Sequence, residues 1–154
     1  MNINYMLSSD AFLINFEGTS KKHILEELCK LAEIKLGTNS RELLESLTRR
    51  EKLGSTAVGN GIAIPHANAS NISKPYVFVS TLSNGLDFNS NDDQPVDIIF
   101  LLIAPKNKGA ENLQALALIS RLLRNNDLTI KLRGCKTSES ALAVISQSLR
   151  DEAA

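Results

Sequence analysis

The chain of 154 residues has no tryptophan, an aromatic share of 5%, two cysteines and no surplus of charge, with 17 Lys plus Arg against 17 Asp plus Glu. Each shortage removes a class of function. A protein held on nucleic acid by phosphate contacts carries a basic excess or stripe, and a formally neutral chain lacks that footprint. Few aromatic rings leave no platform for stacking bases or sugars. An acidic solvating tail is equally absent. Cys29 and Cys135 stand 106 positions apart, outside any CxxC or Cys/His cluster, which gives no basis for a disulfide framework or a zinc site. Cys29 follows Leu28 in a helical pattern and reads as a small buried hydrophobe. Long apolar runs are missing as well. The longest, Ile98 to Ala104, is too short to span a bilayer, and the opening MNINYMLSSDAF lacks the basic and then apolar stretches of a secretion signal. The chain reads as cytoplasmic, with neither membrane insertion nor nucleic acid as a partner.

What is present is an ordinary globular balance, 43% hydrophobic and 22% charged. It suits one domain over residues 1–154 with an aliphatic core. Phe12, Ile14 and Phe16 alternate as a short strand. Ser20 then caps a helix with Ile24, Leu25, Leu28, Leu31 and Ala32 inward, which Gly37 ends. Asn39 or Ser40 opens a second helix through Leu43, Leu44 and Leu47, running out in Thr48, Arg49, Arg50, Glu51 and Lys52. Tyr76 to Leu82 alternates as a strand, Asn84-Gly85 signals a turn, and the almost continuously apolar Val96 to Ala104 predicts a strand covered on both faces at the sheet centre. After a loop from Pro105 to Gly109, Asn112 to Arg124 predicts a helix whose leucines occupy more than one face. It is buried from two sides or keeps an apolar face for a partner. A short helical segment at Leu128 to Leu132 and a last helix from Thr137 or Ser138 follow. Helices are expected to separate the strands throughout, giving an α/β fold with one mixed sheet flanked by helices on its faces.

One stretch is unusual. From Gly54 to His66 the chain reads GSTAVGNGIAIPH, and its three glycines in eight positions cannot sustain a helix, so a shaped loop entering an extended segment is expected. It is not a P-loop, since no lysine or hydroxyl follows the glycines in the required place. Nor is it a dinucleotide fingerprint, because the glycines are spaced five and then two apart and precede an extended segment. Its informative end is Ile64-Pro65-His66. Proline fixes its own φ and biases the residue before it toward extended geometry, so the imidazole is presented in one direction, as a nucleophile would be. A neutral ring keeps a free lone pair with which to attack phosphorus. Donors for phosphoryl oxygens stand nearby in sequence. Arg50 offers a planar fork, Ser55 and Thr56 offer hydroxyls, and Gly54, Gly59 and Gly61 let backbone N–H groups approach.

Plainer readings exist for each. A single histidine after proline is commonly a loop residue, and His23 in the first helix reads as a surface side chain. Arg49, Arg50, Glu51 and Lys52 have the look of a solvated helix end with weak surface ion pairs. Asp92, Asp93 and Asp97 belong to a turn and strand. No second His, Cys or carboxylate stands at ligand spacing from His66, so no metal and no cofactor is expected.

The segment REKLGSTAVGNGIAIPHA, from Arg50 to Ala67, resembles the active-site signature of the fructose/mannitol-type EIIA domains of the bacterial phosphoenolpyruvate-dependent phosphotransferase system. The blocks DDQPVDIIFLLIAP, from Asp92 to Pro105, and LQALALISRLLR extend the likeness over nearly the whole chain. The domain stands alone and so is most similar to the nitrogen-regulatory branch. The resemblance implies that His66 accepts a phosphoryl group, as tele-phosphohistidine, from an HPr-type phosphocarrier or its nitrogen-branch counterpart. It implies that Arg50 supports the phosphorylated ring. It also implies downstream partners, either an EIIB component or regulatory proteins. The family carries a second histidine before the Leu-rich helix. Here Glu111-Asn112-Leu113 stands in that place, and Asn112 can hold the His66 ring or donate to a phosphoryl oxygen but cannot titrate. Two other readings are a sugar-specific EIIA that serves an EIIB and its permease, and a non-catalytic regulatory binding module.

Overall fold

The computed structural model describes residues 6–153. Their order is a 3-10 turn (Ser9–Ala11), β1 (Phe12–Phe16), α1 (Lys21–Leu36), α2 (Ser40–Leu53), β2 (Ala57–Gly59), β3 (Ile62–Ala63), β4 (His66–Ala69), β5 (Tyr76–Leu86), β6 (Val96–Pro105), α3 (Gly109–Leu123), α4 (Asn126–Gly134) and α5 (Ser138–Ala153). The apolar run in β6 organises the rest. All its residues but Asp97 are buried, because successive side chains of a strand point to opposite faces and both faces here are covered. Ile98, Phe100 and Leu102 enter one core with Ala115, Ile119 and Leu122 of α3, Leu128 of α4 and Ile145 of α5. Ile99, Leu101 and Ile103 enter a second core with Ile24 and Leu28 of α1 and Leu43 and Leu47 of α2. The sheet is therefore the middle layer of three.

Its order is β1-β5-β6-β3-β2, with β4 following β3 along the same edge of β6. β5 runs antiparallel to β6, while β3 and β4 run parallel to it, and β1 runs parallel to β5. The sheet is mixed and helices flank both faces, as the sequence implies. Helix caps also fall where expected. Ser20 Oγ accepts the His23 N–H at 3.0 Å, Asn39 Oδ1 accepts that of Glu42 at 3.0 Å, and Gly37 ends α1.

Three expectations are corrected. Helices do not separate the strands throughout, since β2 to β6 follow one another with no helix between. Asn84-Gly85 does not close a turn. It lies inside β5, where the pairing slips from Thr81↔Ile98 to Leu86↔Val96 and three extra residues are absorbed as an irregularity. The turn is made instead by Asn60-Gly61, both at positive φ (57° and 78°), joining β2 to β3 as a two-residue hairpin loop. Finally, α3 begins at Gly109 rather than Asn112, its Asn112 N–H already bonded to Lys108 O at 3.0 Å. Its buried side is Ala115, Ile119, Leu122 and Leu123, and Leu113 is exposed.

Candidate functional site

The structure builds the His66 neighbourhood from the end of α2 and the strands that follow. Gly54 closes α2 with φ +154°, which side-chain-bearing residues rarely adopt, and turns the chain into β2. Arg50 Nη1 donates to Gly54 O at 2.8 Å, fastening that exit. Ala57 then pairs with Ala63, and Ile64 N–H donates to Thr56 O at 3.0 Å. Among the described residues the Arg50 guanidinium makes no hydrogen bond to His66.

His66 itself opens β4, registered beside Leu102 of β6, with Pro65 O accepting the Leu102 N–H at 2.9 Å. Registered neighbours share a face, so the imidazole is on the Leu102 side of the sheet, the side covered by α3 to α5. His66 Nδ1 is 3.0 Å from Ile64 O. A carbonyl only accepts, so the bond requires the hydrogen on Nδ1 and leaves the Nε2 lone pair unshared. The ring is half-buried and lies outside the open depression of about 790 Å³ lined by Lys21, Leu25, Leu44 and Arg49.

The other residues singled out by sequence take different places. The Ser55 hydroxyl donates to Phe88 O at 2.5 Å and accepts the Ala57 N–H at 3.1 Å. The Thr56 hydroxyl donates to Glu51 Oε1. Each hydroxyl has one hydrogen, so both are committed to holding the loop rather than to an incoming phosphoryl group. Gly59 and Gly61 shape the hairpin. Gly61 O accepts from the Asp97 and Ile98 N–H groups at 2.9 and 3.1 Å, four residues up β6 from Leu102, or about 13 Å from the His66 level at ~3.3 Å per residue. They are not brought together with His66. Asn112 is half-buried at the start of α3. Its Nδ2 donates to Pro105 O at 2.9 Å, its Oδ1 is buried without a partner, and it is not hydrogen-bonded to His66.

The end of α2 is solvated at Arg49 and Lys52, as its charges suggest, but Glu51 departs from that reading. The Glu51 side chain is 7% exposed, with its carboxylate 2.7 Å from Lys21 Nζ and accepting the Thr56 N–H at 3.2 Å. Sequence reasoning missed both partners, although a signal existed. Glu51 stands four residues after Leu47 and eight after Leu43, on the buried stripe of the helix. His23 is indeed near the surface, accepting the Thr19 N–H on Nδ1 at 3.1 Å, and Cys29 is buried as expected.

An imidazole whose Nδ1 meets a backbone carbonyl has Nε2 left over, which is what phosphoryl transfer to a histidine needs. The chain belongs to the EIIA type 2 family of the phosphoenolpyruvate-dependent sugar phosphotransferase system, whose model matches residues 5–148, and is a phosphotransferase component of that system. It is 42% identical over 145 residues to a nitrogen regulatory protein of Bradyrhizobium diazoefficiens, covering 94% of this chain and 95% of the relative. Its fold matches the crystal structure of the nitrogen regulatory protein IIA-Ntr from Neisseria meningitidis with a TM-score of 0.86 and 28% identity, over 93% of this chain and 98% of that one. The mannitol enzyme IIA of Escherichia coli, solved in complex with phosphorylated enzyme IIB, shares the fold at a TM-score of 0.77 and 18% identity, over 92% and 97% of the chains. Among the described residues no helix is long and apolar enough to cross a membrane.

Proposed function

We propose that His66 is the phosphoacceptor and that the protein acts in cytoplasmic regulation, its free and phosphorylated forms engaging different partners. The observation that carries this reading is the Nδ1 contact with Ile64 O, which leaves the Nε2 lone pair unshared. Nε2 attacks the phosphorus of a phosphohistidine on an HPr-type carrier. The new N–P bond forms as the carrier's N–P bond breaks, and the electron pair returns to the carrier's ring. His66 keeps its Nδ1 hydrogen on Ile64 O throughout, so the phosphorylated ring holds the same orientation. Arg50 has further N–H groups beyond the one on Gly54 O, and these neutralise the phosphoryl oxygens. Leu53, 86% exposed and next to Gly54, offers the carrier an apolar contact beside the Arg50–Gly54 exit. The similarity to nitrogen regulatory proteins supports regulation over sugar transport.

The test is phosphorylation by purified phosphorylated carrier. An acid-labile phosphoryl group is expected on the wild-type protein and none on His66→Ala. Labelling of that variant at the wild-type level would remove His66 from the role, and onward transfer to an EIIB component would favour the sugar-specific reading.

A further inference from the structure

The β2–β3 ladder is opened at one rung. Where two antiparallel residues form a hydrogen-bonded pair, each donates its N–H to the other's carbonyl. At Thr56 and Ile64 only half of this exchange is made. Ile64 N–H reaches Thr56 O at 3.0 Å, but Thr56 N–H turns away to Glu51 Oε2 at 3.2 Å. The carbonyl left free, Ile64 O, is the one that receives His66 Nδ1 at 3.0 Å. Glu51 is the reason the rung stays open. Its carboxylate takes both the N–H and the hydroxyl of Thr56. Lys21 Nζ neutralises it at 2.7 Å and lies 5.1 Å from the centre of the buried Phe88 ring. A nearly buried carboxylate with a cation and two donors is a stable acceptor, and it outcompetes a neutral backbone carbonyl for an amide hydrogen.

We infer that Glu51 is a positioning residue for His66. By withdrawing the Thr56 N–H from the ladder it reserves the Ile64 carbonyl for the imidazole, and so sets which ring nitrogen carries the hydrogen and which is offered to the phosphoryl group. This rests on the reading of His66 as phosphoacceptor, but its consequence, the tautomer of a ring, is measurable without any phosphorylation. Remove the acceptor and the Thr56 N–H closes on Ile64 O. His66 Nδ1 then loses its partner, and the ring drifts to the Nε2–H form favoured by a free imidazole, which has no lone pair on Nε2.

The experiment is nitrogen-15 correlation spectroscopy of the His66 ring at a pH where the imidazole is neutral. In the wild-type protein the hydrogen is expected on Nδ1, and finding it on Nε2 overturns the inference with no variant needed. In Glu51→Gln, which cannot be charged and accepts more weakly, the Nε2–H form is expected to rise, and phosphoryl transfer from the carrier to slow by about tenfold or more. Thr56→Val, which keeps the N–H and removes only the hydroxyl, is expected to retain the Nδ1–H form and serves as the folded control. A folded Glu51→Gln protein whose ring stays fully in the Nδ1–H form refutes the role of Glu51. Loss of labelling in His66→Ala tests the phosphoacceptor reading alone, so the two fail separately.

Discussion

Arg133 is the side chain by which α4 grips the tip of the β2–β3 hairpin, and its removal has a calculable effect. The guanidinium meets Asp97 in a fork, Nε to both carboxylate oxygens at 3.1 and 3.0 Å and Nη2 to Oδ1 at 3.0 Å. The same Nη2 reaches Asn60 O in the turn at 2.7 Å. The two side chains are 35% and 32% exposed. Fully exposed ion pairs couple by about 0.2–1 kcal/mol, and hydrogen bonds to charged groups contribute about 1.5–3 kcal/mol. A planar fork at one-third exposure falls between, at a coupling of about 1 kcal/mol. The bond to Asn60 O belongs to Arg133 alone and adds about 1 kcal/mol. Arg133→Ala should thus lose about 2 kcal/mol, lowering Tm by roughly 4–8 °C for a domain of this size. Urea unfolding of the wild type, Arg133→Ala, Asp97→Ala and the double variant isolates the pair. Coupling below about 0.3 kcal/mol, within the scatter of independent sites, would show that the fork is a surface contact of no consequence.

Other outcomes follow from neighbouring features. At Gly61, φ is +78° and an added Cβ would stand 2.9 Å from both Arg133 Nη2 and Asp97 Oδ1, so Gly61→Ala should destabilise by about 2 kcal/mol or more; a variant as stable as wild type in thermal unfolding contradicts the turn's geometry. The Asp92 carboxyl is held below its ordinary value of 3.8, first by the Ser90 hydroxyl and then by the N–H groups of Gln94 and Asn60. A lowered folded pKa adds stability that is complete above the unfolded value and is lost as pH falls through the folded one. The stability gap between wild type and Asp92→Asn should therefore be constant near neutrality and shrink below pH 3.8; a gap unchanged in acid refutes it. Burial pushes the Cys29 thiol up to about 12, so it should resist thiol reagents in the native protein, and labelling at the rate of an unfolded chain would show that α1 opens readily.

Much of this architecture is written in short-range chemistry. Ser20, Asn39 and Gly37 announce helix ends because a cap is a local hydrogen bond, and the β6 run announces a doubly covered strand because burial on both faces leaves no room for polar alternation. The two Asn-Gly pairs show the limit. Asn60-Gly61 makes the hairpin turn and Asn84-Gly85 lies within a strand, and what separates them is not local. Pro95 packs so close to Gly85 that a Cβ there would come within 2.7 Å of the proline Cβ, a long-range reason for glycine that mimics a turn signal. At the proposed site, Pro65-His66 and Arg50 are the residues that the sequence singles out for phosphoryl chemistry, and the fold ties them to Ile64 O and Gly54 O. Ser55 and Thr56 carry suitable groups, but their hydrogens go to Phe88 O and Glu51, partners fixed only once the chain folds.

The two-sided burial of β6 bears on how the proposed phosphorylation of His66 would be read. Alternate residues of the strand belong to different cores, so β6 cannot open without exposing both, and its amides should be among the last to exchange with solvent. β4, which carries His66, is hydrogen-bonded along that strand from Leu102 to Pro105. The His66 ring is thus mounted beside the most deeply buried strand of the fold. A phosphoryl charge added to His66, as proposed above, would have no soft layer through which to reshape the helices, and partners would distinguish the two forms by touching the ring's own surroundings.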